Sequence, residues 1–162
     1  MQQQFSWYVL FSGLFGAVFG GIIAATIGFW KFHRDEFSAR CDELCKTLVE
    51  AGGVSAEYWS QTFEDNQQYR ARILEAKLLG MQSLIDGLSA QVSEKFWAKD
   101  NVIFSNLLSE MSDGLTGGQF SEAGRQEDLV RIRKASQVAG ELTAAIRVGH
   151  RHTMPFQGFM KV

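Results

Sequence analysis

FSGLFGAVFGGIIAATIGFW, residues 11–30, contains no charged side chain, and neither do the ten residues before it. At about 1.5 Å of rise per residue, the apolar run from Phe5 to Trp30 is long enough to cross the roughly 30 Å hydrocarbon core of a bilayer as a helix. Trp7 and Tyr8 at one end and Phe29 and Trp30 at the other stand where interfacial rings belong. A cleavable signal peptide needs positive charge near its start and a shorter apolar stretch, whereas Met1-Gln2-Gln3-Gln4 carries no charged side chain. Residues 1–30 are therefore expected to form one transmembrane helix with a short N-terminal extension.

Within that span the smallest side chains recur at helical spacing. Gly13, Ala17, Gly21 and Ala25 form one ridge, and Gly16, Gly20, Ala24 and Gly28 form the next. Lipid supplies no hydrophobic drive between helices, so small residues act by letting a second backbone approach to van der Waals contact. A single span has no second span of its own, so the expected partner is another copy of this chain, in a dimer or a ring. Another protein's membrane helix is the alternative. Lys31, Arg34 and Arg40 follow the span and no charged side chain precedes it. The positive-inside rule then puts the N-terminus outside and the remainder in the cytoplasm.

About 130 residues remain for a water-soluble part, enough for one compact domain. The formal charge of −2 and the pI near 5.9 argue against direct binding of duplex nucleic acid. Acids outnumber bases over residues 35–100, and the balance reverses over 120–162, which is where an anionic partner is expected. Cys41 and Cys45 are four apart on one helical face, a poor geometry for a disulfide, and they read as reduced, partly buried thiols.

Outside the span there is no strand-like alternation, and the one proline is Pro155. The expected fold is all-α, the membrane helix continuing into a cytosolic bundle of about four helices over residues 31–149. Phe37, Cys41, Leu44, Leu48 and Ala51 have the spacing of a packing seam, which Gly52-Gly53 is expected to end. Ser55 reads as the N-cap of a second helix reaching about Lys95, with Trp59, Phe63, Ile73, Leu84, Leu88 and Val92 apolar and a weak point near Gly80. A third helix is expected from about Asp100 to Ser112, with Ile103, Leu107, Leu108 and Met111 inside and a flexible turn after it. The fourth is expected from near Ser121 to Gly149, with Leu129, Ile132, Ala139, Leu142, Ile146 and Val148 as its apolar side. Residues 150–162 read as a flexible basic and aromatic tail, whose Phe156, Phe159 and Met160 beside Arg151 and Lys161 suit an anionic lipid surface.

Residues that carry chemistry are few. There is no phosphate-binding loop, dinucleotide fingerprint or HExxH pair, and His150 and His152 lack a third ligand at metal-site spacing. No catalytic residue, metal or cofactor is expected, and the chain is not read as an enzyme. The basic cluster Arg131-Ile132-Arg133-Lys134, with Arg125 before it and Arg147 and Arg151 after it, reads first as a solvated helix face. In a ring of subunits, Arg131, Arg133, Lys134, Arg147 or Arg151 from each copy would converge on an axis. There they suit a small phosphorylated ligand or a cytosolic sensor protein.

The glycine-striped span, the basic exit and the run DEFSARCDELCKTLVEAGG followed by SAEYW together resemble small bacterial helical membrane effectors of anti-phage defence systems, including retron-, cyclic-nucleotide- and CRISPR-linked ones. That resemblance implies an inner-membrane protein that perturbs or perforates the bilayer when a cytosolic signal arrives. The alternative expectation is a non-permeating anchor or scaffold subunit that holds a cytosolic partner.

Overall fold

The computed structural model describes residues 2–62, 68–96, 98–122 and 124–153, with backbone alone over residues 2–10. It is all-helical: α1 (Gln2–Trp59), α2 (Gln68–Ser93), α3 (Ala98–Thr116) and α4 (Leu129–His152), with no strand among the described residues. Two compact units divide the chain, Met1–Ser38 and Ala39–Val162. The side chains of Trp7 and Tyr8, Phe63, and the tail residues Phe156, Phe159, Met160 and Lys161 lie outside the described residues.

The first unit holds the apolar part of α1, the one helix among the described residues that is long and apolar enough to cross a membrane. Its most apolar window has a mean hydropathy of 1.8, and the side chains over 11–30 are exposed. At the exit, the Arg34 guanidinium lies 5.4 Å from the centre of the Trp30 ring and pairs with Asp35 at 3.0 Å.

The second unit is a helical bundle. Leu44, Leu48, Ala51, Tyr58 and Trp59 of α1 are buried with Leu78, Ile85 and Val92 of α2, Phe104, Met111 and Leu115 of α3, and Ala135, Leu142 and Ile146 of α4. Apolar stripes at three- and four-residue spacing meet in this core, whose burial at about 25 cal/mol per Å² supplies most of the drive. The seam from Cys41 through Leu44 and Leu48 to Ala51 is buried, and Phe37 is half-buried.

Several helix boundaries differ from the sequence expectation, for reasons of packing or of capping. Gly52-Gly53 does not end α1, which runs on to Trp59. A Cβ on Gly52 would stand 3.5 Å from the Ala139 Cβ and 3.7 Å from the Ala135 carbonyl, so this glycine admits α4 rather than stopping α1. Ser55 is buried and donates to the Gly114 carbonyl at 3.3 Å instead of capping a helix. Burial of Tyr58 and Trp59 outweighs the ~1 kcal/mol that each glycine costs a helix interior. In α2 no break occurs at Gly80: the buried stripe is Leu74, Leu78, Met81, Ile85, Leu88 and Val92, while Ile73 and Leu84 are exposed.

The third helix extends through Gly114 and Leu115, expected as part of a turn. A Cβ on Gly114 would lie 3.3 Å from the Ala135 Cα, which marks a close crossing of α3 and α4. Phe104, Met111 and Leu115 face inward, and Ile103 is exposed. The fourth helix starts eight residues after Ser121, at Leu129, because Asp128 is its N-cap and accepts from the Arg131 N–H at 3.0 Å. Ala135, Val138, Ala139, Leu142, Ile146 and Gly149 are its buried positions; Leu129 and Val148 are exposed. It ends at His152 rather than Gly149, with His150, Arg151 and His152 in the last turn, where the carbonyl end of the helix favours positive charge.

Candidate functional site

In the first unit, the two small-residue ridges form a face with nothing against it. A Cβ built on Gly13, Gly16, Gly20, Gly21 or Gly28 meets no heavy atom within 4 Å, and Ala17, Ala24 and Ala25 are exposed. Phe15, Phe19, Ile22, Ile23 and Ile27 are bulky exposed apolar side chains on the same helix. Thr26, which carries the sole hydroxyl between Gly13 and Trp30, donates it to the Ile22 carbonyl at 2.8 Å. This part of α1 thus presents a flat face of small apolar side chains, the kind that permits close approach of a second helix.

In the second unit, the basic cluster divides. Arg131 is largely buried: its guanidinium donates to the Asp113 carbonyl, stands 3.4 Å from the Asp128 carboxylate and lies 5.2 Å from the centre of the Trp59 ring. Lys134 bonds the Asp113 carboxylate at 2.9 Å. That hydrogen bond, with the Lys134 and Arg131 charges, holds the Asp113 carboxyl below the usual carboxylate range. Arg131 and Lys134 therefore fasten the α3–α4 connection. Arg133, Arg147 and Arg151 are exposed. A Cβ on Gly118, which has φ +62°, would stand 2.5 Å from the Arg131 guanidinium, so glycine is required there by backbone and by space.

The largest departure from the sequence reading is Arg125. It is 1% exposed, not solvated, and its Cζ sits 3.8 Å over the Tyr58 ring and 5.2 Å from the centre of the Trp59 ring. Its Nη1 donates to the Tyr58 carbonyl at 2.6 Å. Around it a polar network fastens the 117–122 turn to the end of α1 and the start of α2. Tyr58 Oη donates to Glu75 Oε1 at 3.1 Å and accepts from the Ser121 N–H at 2.9 Å. Glu75 Oε2 accepts from Ser121 Oγ at 3.0 Å and from Arg72 at 2.8 Å. Burial pushes the Tyr58 phenol up, against the pull of the Ser121 N–H and the Arg125 charge.

Glu75 went unread in the sequence, although a carboxylate set among Leu74, Leu78 and Met81 on a helix with Arg72 one turn before it is a detectable signal. Ser121 and Arg125 lie in a loop, where no periodicity reports burial.

Elsewhere, Cys41 and Cys45 are free and buried. Burial, with Cys45 and Asp42 beside it, pushes the Cys41 thiol up to about 12. A thiol so protonated is a poor nucleophile and a poor metal ligand. His152 Nδ1 meets Asp100 Oδ2 at 2.8 Å, tying the end of α4 to the start of α3. Gln82 donates to Ser112 Oγ at 2.7 Å and accepts from Thr116 at 2.9 Å, clamping α2 to α3. Among the described residues no three His, Cys, Asp or Glu side chains converge on a metal-sized space. No protein family, curated protein or solved structure matches the chain.

Proposed function

We propose that this chain is a self-associating single-pass protein of the bacterial inner membrane, N-terminus outside, whose cytosolic bundle governs assembly and whose assembly perturbs the bilayer on a signal. The observation that carries the reading is the open Gly/Ala face, eight small residues on two ridges over Gly13–Gly28 with no neighbour against any of its glycines. Such a face costs helix propensity and gains nothing in lipid unless a second helix meets it. The basic flank at Lys31, Arg34 and Arg40 supports the orientation. The test is chemical cross-linking of the full chain in native-like bilayers, followed by expression with a membrane-potential dye. Self-association predicts a ladder of homo-oligomers that Gly20→Leu abolishes, with depolarisation lost in the same variant. A monomer in bilayers, or Gly20→Leu chains that cross-link and depolarise as the parent does, would sink the reading.

A non-permeating anchor or scaffold is the second reading. The Thr26 hydroxyl, spent on its own helix, favours it, because a water-filled pore needs polar groups along its lining. Homo-oligomers without any change in potential would select it.

A further inference from the structure

The Arg125 guanidinium is a buried cation with two of its three nitrogens unused. Nη1 bonds the Tyr58 carbonyl, but Nε and Nη2 have no acceptor, and no carboxylate among the described residues lies within ion-pairing distance. Nε and Nη2 carry the N–H groups that point the same way from one edge of the plane, the edge that oxyanions take side-on with two parallel hydrogen bonds. The indole Nε1 of Trp59, in the ring beside that guanidinium, is also buried without an acceptor.

Two adjacent side chains thus carry three donor nitrogens and one positive charge without an acceptor among the described residues. Stacking on Tyr58 offsets only part of the cost of burying an unpaired cation. Glu75 cannot supply the missing charge, since its oxygens already serve Tyr58, Ser121 and Arg72.

We propose that Arg125 and Trp59 form a receptor for a phosphate monoester, the arginine fork taking two terminal oxygens and the indole N–H the third. A monoester presents three terminal oxygens to three donors, whereas a carboxylate leaves one donor unfilled. Access runs past the 117–122 turn. Phe120 is half-buried, with ring centres 5.2 and 6.5 Å from those of Tyr58 and Trp59, while Ser121 is exposed, so this turn packs at the surface beside the two rings that hold Arg125. Ser121 has a left-handed φ of 65°, unfavourable for a residue with a Cβ, and its bonds to Tyr58 and Glu75 hold it there. Movement of the turn relieves that backbone conformation as it opens the way to Arg125.

The test is titration calorimetry on the full detergent-solubilised chain, at constant ionic strength, with inorganic phosphate, adenosine 5′-monophosphate and acetate as probes. Saturable binding of phosphate or of the nucleotide, with acetate weaker, is expected, and tighter binding of the nucleotide assigns the phosphate to an organic carrier. Arg125→Lys keeps the charge but not the fork and is expected to weaken binding by about tenfold or more. Trp59→Phe keeps the ring and removes one N–H, and about a three- to tenfold loss is expected from it. Absence of saturable binding, acetate binding as well as phosphate, or unchanged affinity in Trp59→Phe overturns the proposal. The last result decides even if Arg125→Lys fails to fold.

Discussion

Asp113 joins two cations of α4 to the end of α3, and its ionisation is linked to stability. The folded carboxyl is held below its usual range, first by the hydrogen bond from Lys134 and then by the charges of Lys134 and Arg131. The folded state therefore favours the ionised form. The resulting stabilisation is full above the ordinary carboxylate range and is lost as the pH falls through the lowered value. Because Asp113 is about half exposed, solvent screens the pair, and Asp113→Asn is expected to cost about 0.5–1 kcal/mol at pH 7. Denaturant unfolding at pH 7 and pH 3 checks this: the gap between variant and parent should shrink at the acid pH, and a gap that widens there would contradict the assignment. Cys41 makes a second residue-scale prediction. With its thiol pushed to about 12 and Cys45 also raised by burial, alkylation at pH 8 should be more than about tenfold slower in the folded chain than in denaturant. Cys45 should react first, since the Arg147 charge opposes its rise. Folded-state rates equal to those in denaturant would show the seam to be open.

At the scale of the element, glycine is ambiguous in one dimension and unambiguous in three. Gly52-Gly53 and Gly114 carry the signature of helix stops, and a periodicity argument has no way to see that α4 passes beside Gly52 and Gly114. The close approach of Ala135 and Ala139 makes these glycines contact points inside longer helices. Gly53, by contrast, faces open space within α1. Gly53→Ala is therefore expected to stabilise the bundle by about 0.5–1 kcal/mol, as alanine does in an exposed helix interior. Gly52→Leu is expected to destabilise by about 1–3 kcal/mol, since its outer carbons must enter α4. Thermal unfolding of the two variants reads out the difference. Destabilisation by Gly53→Ala would mean that the helix ends there after all.

The inner stripes of α2, α3 and α4 were legible in part for a related reason. Leu88, Val92, Met111, Leu142 and Ile146 are buried at positions that the 3.6-residue period selects. Ile73, Ile103, Leu129 and Val148 share the hydrophobicity but stand at the edges of those stripes, where the crossing partner does not reach. Apolar character alone does not fix which edge of a broad stripe a neighbouring helix covers. Aromatic Phe104, not Ile103, fills the α3 position, packing edge-on to Phe96 with ring centres 5.5 Å apart.

For the molecule as a whole, the chain divides between an apolar unit whose described side chains over 11–30 are exposed and a bundle that has its own core. The sum of these parts makes membrane attachment and self-association the economical reading, and it carries an expectation at this scale. Gly53→Ala, remote from the span, should leave the cross-linked ladder intact, whereas Gly20→Leu should remove it without lowering the unfolding midpoint of the bundle. Loss of the ladder in both would move the contact from the membrane helix to the soluble part.

The sequence by itself determined that the fold is all-α, that its first thirty residues suit lipid, and that one face of that helix is made of Gly and Ala. Composition and local period settle these properties, because each depends on residues within two or three turns of one another. Only the tertiary structure decided that α1 continues to Trp59, that Arg131 and Lys134 are held by Asp113, and that Arg125 lies buried against Tyr58 and Trp59 with its fork unfilled. Those outcomes depend on contacts such as Tyr58 with Arg125, 67 residues apart, and no local pattern encodes which distant helix will occupy the space beside a given side chain.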